Sequence, residues 1–186
     1  MMLVTLKSKK GENEMKKVFF LGLAVIALGL FSKNSYSQII DINSPKMIEA
    51  IIWEETHFQY WKTSNMGCVG LMQIGKATLY DYNKRHNTQW SMEDIRLNPD
   101  KNKKVGVWYW SVEIPRIFSN MNRNLKRKGA KWRIKDTIKN RLIAYNACPN
   151  RVKKYNNPNH KEYKYLPKET RNYLKKITER LNLEIL

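Results

Sequence analysis

Residues 48–78 read IEAIIWEETHFQYWKTSNMGCVGLMQIGKAT, and the stretch changes character halfway. Its first part has the period of an amphipathic helix. Ile48, Ile51 and Ile52 stand at i, i+3 and i+4, and Glu55 is the i+7 position of the same series. At about 100° per residue, Glu55 lies within roughly 15° of the centre of that apolar face, and Glu54 roughly 110° away. Two neighbouring glutamates therefore face different surroundings. Glu54 points to the flank, where a solvated charge costs little. Glu55 continues the apolar stripe at a helix end. Burial disfavours a charged carboxylate and raises its pKa, and a carboxyl protonated near neutral pH can serve as a general acid. Beyond Phe58 the pattern breaks, and Gly67 and Gly70 punctuate a turn in which backbone can approach closely or take positive φ.

Outward from this stretch, the 186 residues suffice for one domain with a real core. The chain carries +19. Residues 1–37 hold six lysines and two glutamates, so the remainder keeps 29 basic against 14 acidic side chains, a net +15. Such a surplus calls for an anionic partner, either nucleic acid or a polyanionic cell envelope. The N-terminus decides between them. Lys16-Lys17 precede an uncharged run of 14 residues, Val18 to Phe31, and Ser35 and Ser37 place small residues at −3 and −1 of a cut before Gln38. This is the pattern of a secretory signal peptide over 1–37, with Met15 offering a second start. The run is short for a bilayer span; left uncut, it would anchor the protein in the membrane. No Cys follows it to carry a lipoprotein anchor. Export to the periplasm or cell envelope removes nucleic acid as a partner and leaves anionic envelope polymers.

Taken in order, Ser44 caps and Pro45 opens a helix over 46–58. A loop over 59–70 walls the cleft, and a second helix is expected over 71–85. Ser91 and Asp94 resemble a capping box. Asn98 caps and Pro99 starts a helix that Pro115 should kink or end. The basic run 119–133 reads as a helix end and solvated loop, 135–147 as helix, 149–165 as loop, and Pro167 opens a last helix to about Leu183. The reading is all-α, about seven helices in one domain over 38–186, with no internal repeat. His57, His86 and His160 are too scattered for a metal site, and no cofactor is expected. Trp53, Trp61, Trp108, Tyr109 and Trp110 are candidates for stacking on sugars or for core.

Glu55-Thr56-His57-Phe58, Ser64, and then Gly67-Cys68-Val69-Gly70-Leu71-Met72-Gln73 resemble the soluble lytic transglycosylase (goose-lysozyme-like, SLT) family, whose pattern is E-S-x-F, a Ser, then G-A-x-G-L-M-Q. Three later blocks follow in the family's order. Asn98-Pro99-Asp100-Lys101-Asn102 with Gly106 and Tyr109 is similar to D-P-x-x-N-I-x-x-G-x-x-Y. Ala144-Tyr145-Asn146-Ala147-Cys148-Pro149 is similar to A-Y-N-A-G-P, and Pro167-Lys168-Glu169-Thr170 with Tyr173 to P-x-E-T-x-x-Y. The resemblance covers about residues 44–177.

It implies a lysozyme-like helical domain with a substrate cleft. It also implies lytic cleavage of the N-acetylmuramic acid–N-acetylglucosamine bond of peptidoglycan glycan strands, with one glutamate, here Glu55, as acid and then base. The C6 hydroxyl of the muramic sugar attacks in place of water, leaving a 1,6-anhydro ring. Ser64, Gln73, Tyr145, Asn146 and Glu169 are the implied substrate contacts. Thr56 stands for the usual Ser, and Gly75-Lys76 for an apolar residue and Pro. Cys68 stands for Ala and Cys148 for Gly, and because the family fold sets both blocks beside one cleft, a Cys68–Cys148 disulfide is expected in an exported protein. Two rivals are a lysozyme-type hydrolase on the same fold and a catalytically weak wall-binding or scaffold protein. A monomer is expected; secretion, conjugation or phage assembly machinery are the partners left open.

Overall fold

A computed structural model describes residues 41–158 and 166–183, all within one compact unit. The signal-peptide reading of 1–37, and His160, lie outside the described residues. The order among them is α1 (Pro45–Thr56), α2 (Lys76–His86), α3 (Met92–Leu97), α4 (Pro99–Trp108), a π turn (Tyr109–Glu113), α5 (Ile114–Arg127), α6 (Ile138–Ala147), α7 (Pro149–Asn156) and α8 (Lys168–Leu181). The all-α expectation holds, with two isolated bridges, Thr63 to Val69 and Val69 to Ile74, in place of strands.

The helix starts follow local chemistry. Ser44 Oγ accepts from the Met47 amide, with Pro45 in the first turn. Ser91 and Asp94 form the reciprocal box: Oγ accepts the Asp94 amide at 3.0 Å and the carboxylate accepts the Ser91 amide at 2.8 Å. Asn98 caps α4 by accepting from the Lys101 amide. Apolar faces of α1, α4, α6 and α8 supply the core, where Ile51, Val105, Leu142 and Leu174 are all 0% exposed.

Three expectations give way. The second helix starts at Lys76, because residues 71–75 are a tight turn in which Gln73 takes φ 48° and Ile74 exchanges two backbone bonds with Val69. Pro115 does not end its helix. The chain widens by one residue at the π turn, where the Ile114 amide donates to the Tyr109 carbonyl. Pro115 has no N–H for the Trp110 carbonyl, and Arg141 Nη1 donates to that carbonyl instead, at 3.3 Å. Residues 149–156, expected as loop, are helix α7: Pro149 sits at its first position and Val152 is fully buried. The basic run is, as expected, a helix end, to Arg127, followed by loop. With these changes the described residues hold eight α-helices and one π turn, not about seven helices.

Candidate active site

The Gly67–Gln73 loop is held by residues thirty positions downstream. Asn102, 0% exposed, donates to the Val69 carbonyl and accepts from the Met72 amide, both at 2.8 Å. A Cβ on Gly70 would lie 2.1 Å from Asn102 Nδ2, and one on Gly106 would lie 2.4 Å from Met72 Sδ. These two glycines let the loop lie directly on α4. From the other side, Thr56 Oγ1, at the end of α1, donates to the Leu71 carbonyl at 3.0 Å.

Between this loop, the end of α1 and the start of α8 lies a cleft of about 590 Å³. Glu55, Ser64, Gln73, Asn146 and Glu169 line it, with Tyr173 at its wall. Five of the six expected catalytic and substrate-contacting residues thus meet in one space, drawn from α1, the loop, α6 and α8. Tyr145 is the exception. Its hydroxyl donates to the Met72 carbonyl at 2.8 Å, behind the cleft wall and beside Glu55. Ser64 and Gln73 also bind their own loop. Ser64 Oγ accepts the Cys68 amide, and the Gln73 amide group donates to the carbonyls of Lys62 and Gly70.

Glu55 is the electrostatic centre. Burial pushes its pKa from 4.5 to about 7. The Tyr173 hydroxyl and the Lys62 ammonium lower it, and the charges of Glu169 and Glu54 raise it. Lys62 also caps the helix that carries Glu55, its Nζ donating to the Glu55 carbonyl at 3.2 Å. The Tyr173 hydroxyl is buried and lies close enough to act on the Glu55 carboxyl, but it makes no hydrogen bond of ordinary geometry. Its own ionisation is pushed well up, first by burial and then by Glu55, so it stays a neutral donor. A neutral carboxyl in this setting can release a proton near pH 7, and the resulting carboxylate has Lys62 and Tyr173 to receive it.

Sequence reasoning missed three features. Glu54 is not a solvated flank charge: its side chain is 6% exposed and pairs with Lys176 at 3.4 Å and Arg180 at 3.7 Å, both on α8. Tyr173 stood inside the closing block yet was not singled out. Lys62 had no signal at all, since a lysine in a polar loop reads as solvated. The expected Cys68–Cys148 disulfide is not formed. Both cysteines are free: Cys68 is half-buried against Gly75, and Cys148 is exposed where it links α6 to α7 at φ 97°. Of the aromatic candidates, Trp108 and Trp110 are core, and Trp53 is covered by the Arg180 guanidinium 4.5 Å from its ring.

The family model of the transglycosylase SLT domain matches residues 37–166. The chain belongs to this family. Among solved structures it is similar to an inactive mutant of lytic transglycosylase Slt from Pseudomonas aeruginosa, with a TM-score of 0.55 and 23% identity. That match covers 73% of this chain and 20% of the Pseudomonas chain, and it supports the lysozyme-like helical fold. The comparison with curated proteins gives no match.

Proposed function

We propose that this protein is an exported enzyme that cuts the bond from N-acetylmuramic acid to N-acetylglucosamine in peptidoglycan, with Glu55 as its one acid and base. The observation that carries this reading is the Glu55 carboxyl in the cleft, its pKa raised to about 7 by burial. The protonated carboxyl gives its proton to the glycosidic oxygen as the bond from the anomeric carbon breaks. Negative charge then appears on Glu55, where Lys62 and Tyr173 favour it. The substrate's own N-acetyl group assists at the anomeric carbon. The muramic C6 hydroxyl attacks that carbon and returns a proton to Glu55, closing the 1,6-anhydro ring without water. The +15 of residues 38–186 suits anionic envelope polymers as a second partner.

A hydrolase is favoured by one observation, Glu169, a second carboxylate in the same cleft. Digesting purified peptidoglycan with the wild type and Glu55→Gln, then weighing the soluble muropeptides, separates the readings. Products one water lighter than reducing muropeptides, absent with the variant, support the transglycosylase. Reducing products that need Glu55 establish a hydrolase. No release by either protein points to a wall-binding or scaffold role.

A further inference from the structure

The loop that supplies Lys62 and Ser64 to the cleft also carries an exposed apolar rim. Of the seven large apolar side chains exposed among the described residues, four fall within residues 58–66: Phe58 (49%), Tyr60 (41%), Trp61 (56%) and Met66 (90%). Clustering of this kind marks a binding surface more often than scattered exposure does. The loop is tightly built. The Gln59 amide donates to the Thr56 carbonyl and the Lys62 amide to the Gln59 carbonyl, so two turns run in succession, with Tyr60 and Trp61 inside the second. Lys62 ties its end to α1 through the Glu55 carbonyl and to the glycine loop through the Gly70 amide. His57 and Phe58 both take positive φ, 53° and 63°, which is rare for a bulky aromatic residue and marks a backbone held against its own preference. Tyr60 and Trp61 meet edge to face, with centroids 5.1 Å apart and planes at 86°. One ring therefore braces the other while both residues stay exposed.

We propose that Tyr60 and Trp61 form a saccharide platform that extends the cleft along the glycan strand, beyond the sugars at the bond that breaks. The inference rests on the reading that the cleft binds glycan. Three observations select a sugar as the occupant. The platform continues the cleft, because Lys62 and Ser64 of the same loop line it. Its rings stand perpendicular, which suits stacking on the apolar face of a pyranose better than lying flat on a bilayer. Polar Lys62, Ser64 and Asn65 lie between Trp61 and Met66 of the rim and match a substrate rich in hydroxyls.

Binding to the Glu55→Gln protein, which isolates affinity from turnover, tests this by calorimetry with long peptide-free glycan strands and with a tetrasaccharide. Adding Trp61→Ala is expected to weaken strand binding about tenfold. Tetrasaccharide affinity should not change, and Trp61→Phe should restore most of the loss. Equal strand affinity with and without Trp61→Ala overturns the platform, as does an equal loss on both ligands. A Trp61-dependent affinity for anionic lipid vesicles in place of strands also overturns it. Strand binding that depends on Trp61, in a protein whose wild type releases no product, would keep the platform and refute the transglycosylase reading.

Discussion

A carboxyl kept protonated by burial destabilises the fold once it is forced to ionise, so Glu55→Gln should stabilise the protein in a pH-dependent way. Glu55 moves from a pKa of 4.5 to about 7 on folding. Between these values the folded state binds more protons than the unfolded state, and stability falls as pH rises. Below about pH 4.5 both states are protonated and the difference vanishes. Above about pH 7 the cost is complete, and at 1.36 kcal/mol per pH unit it amounts to about 3 kcal/mol. Glutamine has nearly the same shape and no charge to desolvate. Urea unfolding midpoints of wild type and Glu55→Gln, taken at several pH values from 4.5 to 8, should coincide at the acid end to within a constant offset. They should diverge steadily towards pH 7, with the variant more stable by about 3 kcal/mol at pH 8. The other ionisable groups are common to both proteins and cancel in the difference. A gap that stays constant with pH would refute the raised pKa, and with it the argument that burial arms Glu55 as an acid.

Three further outcomes test the electrostatics and the loop. Tyr173→Phe and Lys62→Met each remove a group that lowers the Glu55 pKa, so the basic limb of the pH–kcat/KM profile on peptidoglycan should move above its wild-type position near pH 7. Glu54→Gln removes a charge that raises the same pKa, and its basic limb should move down. Asn102→Ala leaves the Met72 amide without its buried partner, while the Val69 carbonyl keeps only the Ile74 amide. It should cost about 2–5 kcal/mol in urea unfolding and should lower turnover as well, because the loop that presents Gln73 loosens.

Much of the fold and half of the site could be read in advance from particular residues. Ser44, the Ser91–Asp94 box and Asn98 cap the helices they announce. Glu55 does continue the apolar face of its helix, and three of the four motif blocks supply the cleft lining, while the fourth, through Asn102, holds the glycine loop in place. Helix α7 stayed hidden because its residues are mostly polar and basic: one fully buried apolar side chain, Val152, holds it to the core with the partly buried Tyr155 and the Asn140–Asn156 hydrogen bonds. Pro115 misled because the π turn places it in the first turn of α5, where a proline is tolerated, and Arg141 comes from α6 to donate to the Trp110 carbonyl. The two cysteines, expected to pair, are both free. Motif order brings their blocks to one region, but it says nothing about where each thiol points.

The sequence by itself determined what depends on neighbours within one helical turn: the caps, the apolar stripe through Ile48, Ile51, Ile52 and Glu55, and the positive-φ glycines. It also carried the family blocks, from which Glu55 is proposed as the acid. Only the tertiary structure decided how Glu55 is tuned, because its charge is set by groups the chain brings together from afar. Tyr173 and Glu169 reach it from α8, Lys62 folds back from the loop, and Glu54 is drawn under Lys176 and Arg180. A carboxyl's pKa follows the solvent and charge within a few ångströms of it, and more than a hundred positions of sequence separate Glu55 from two of the four groups that act on it, Tyr173 and Glu169.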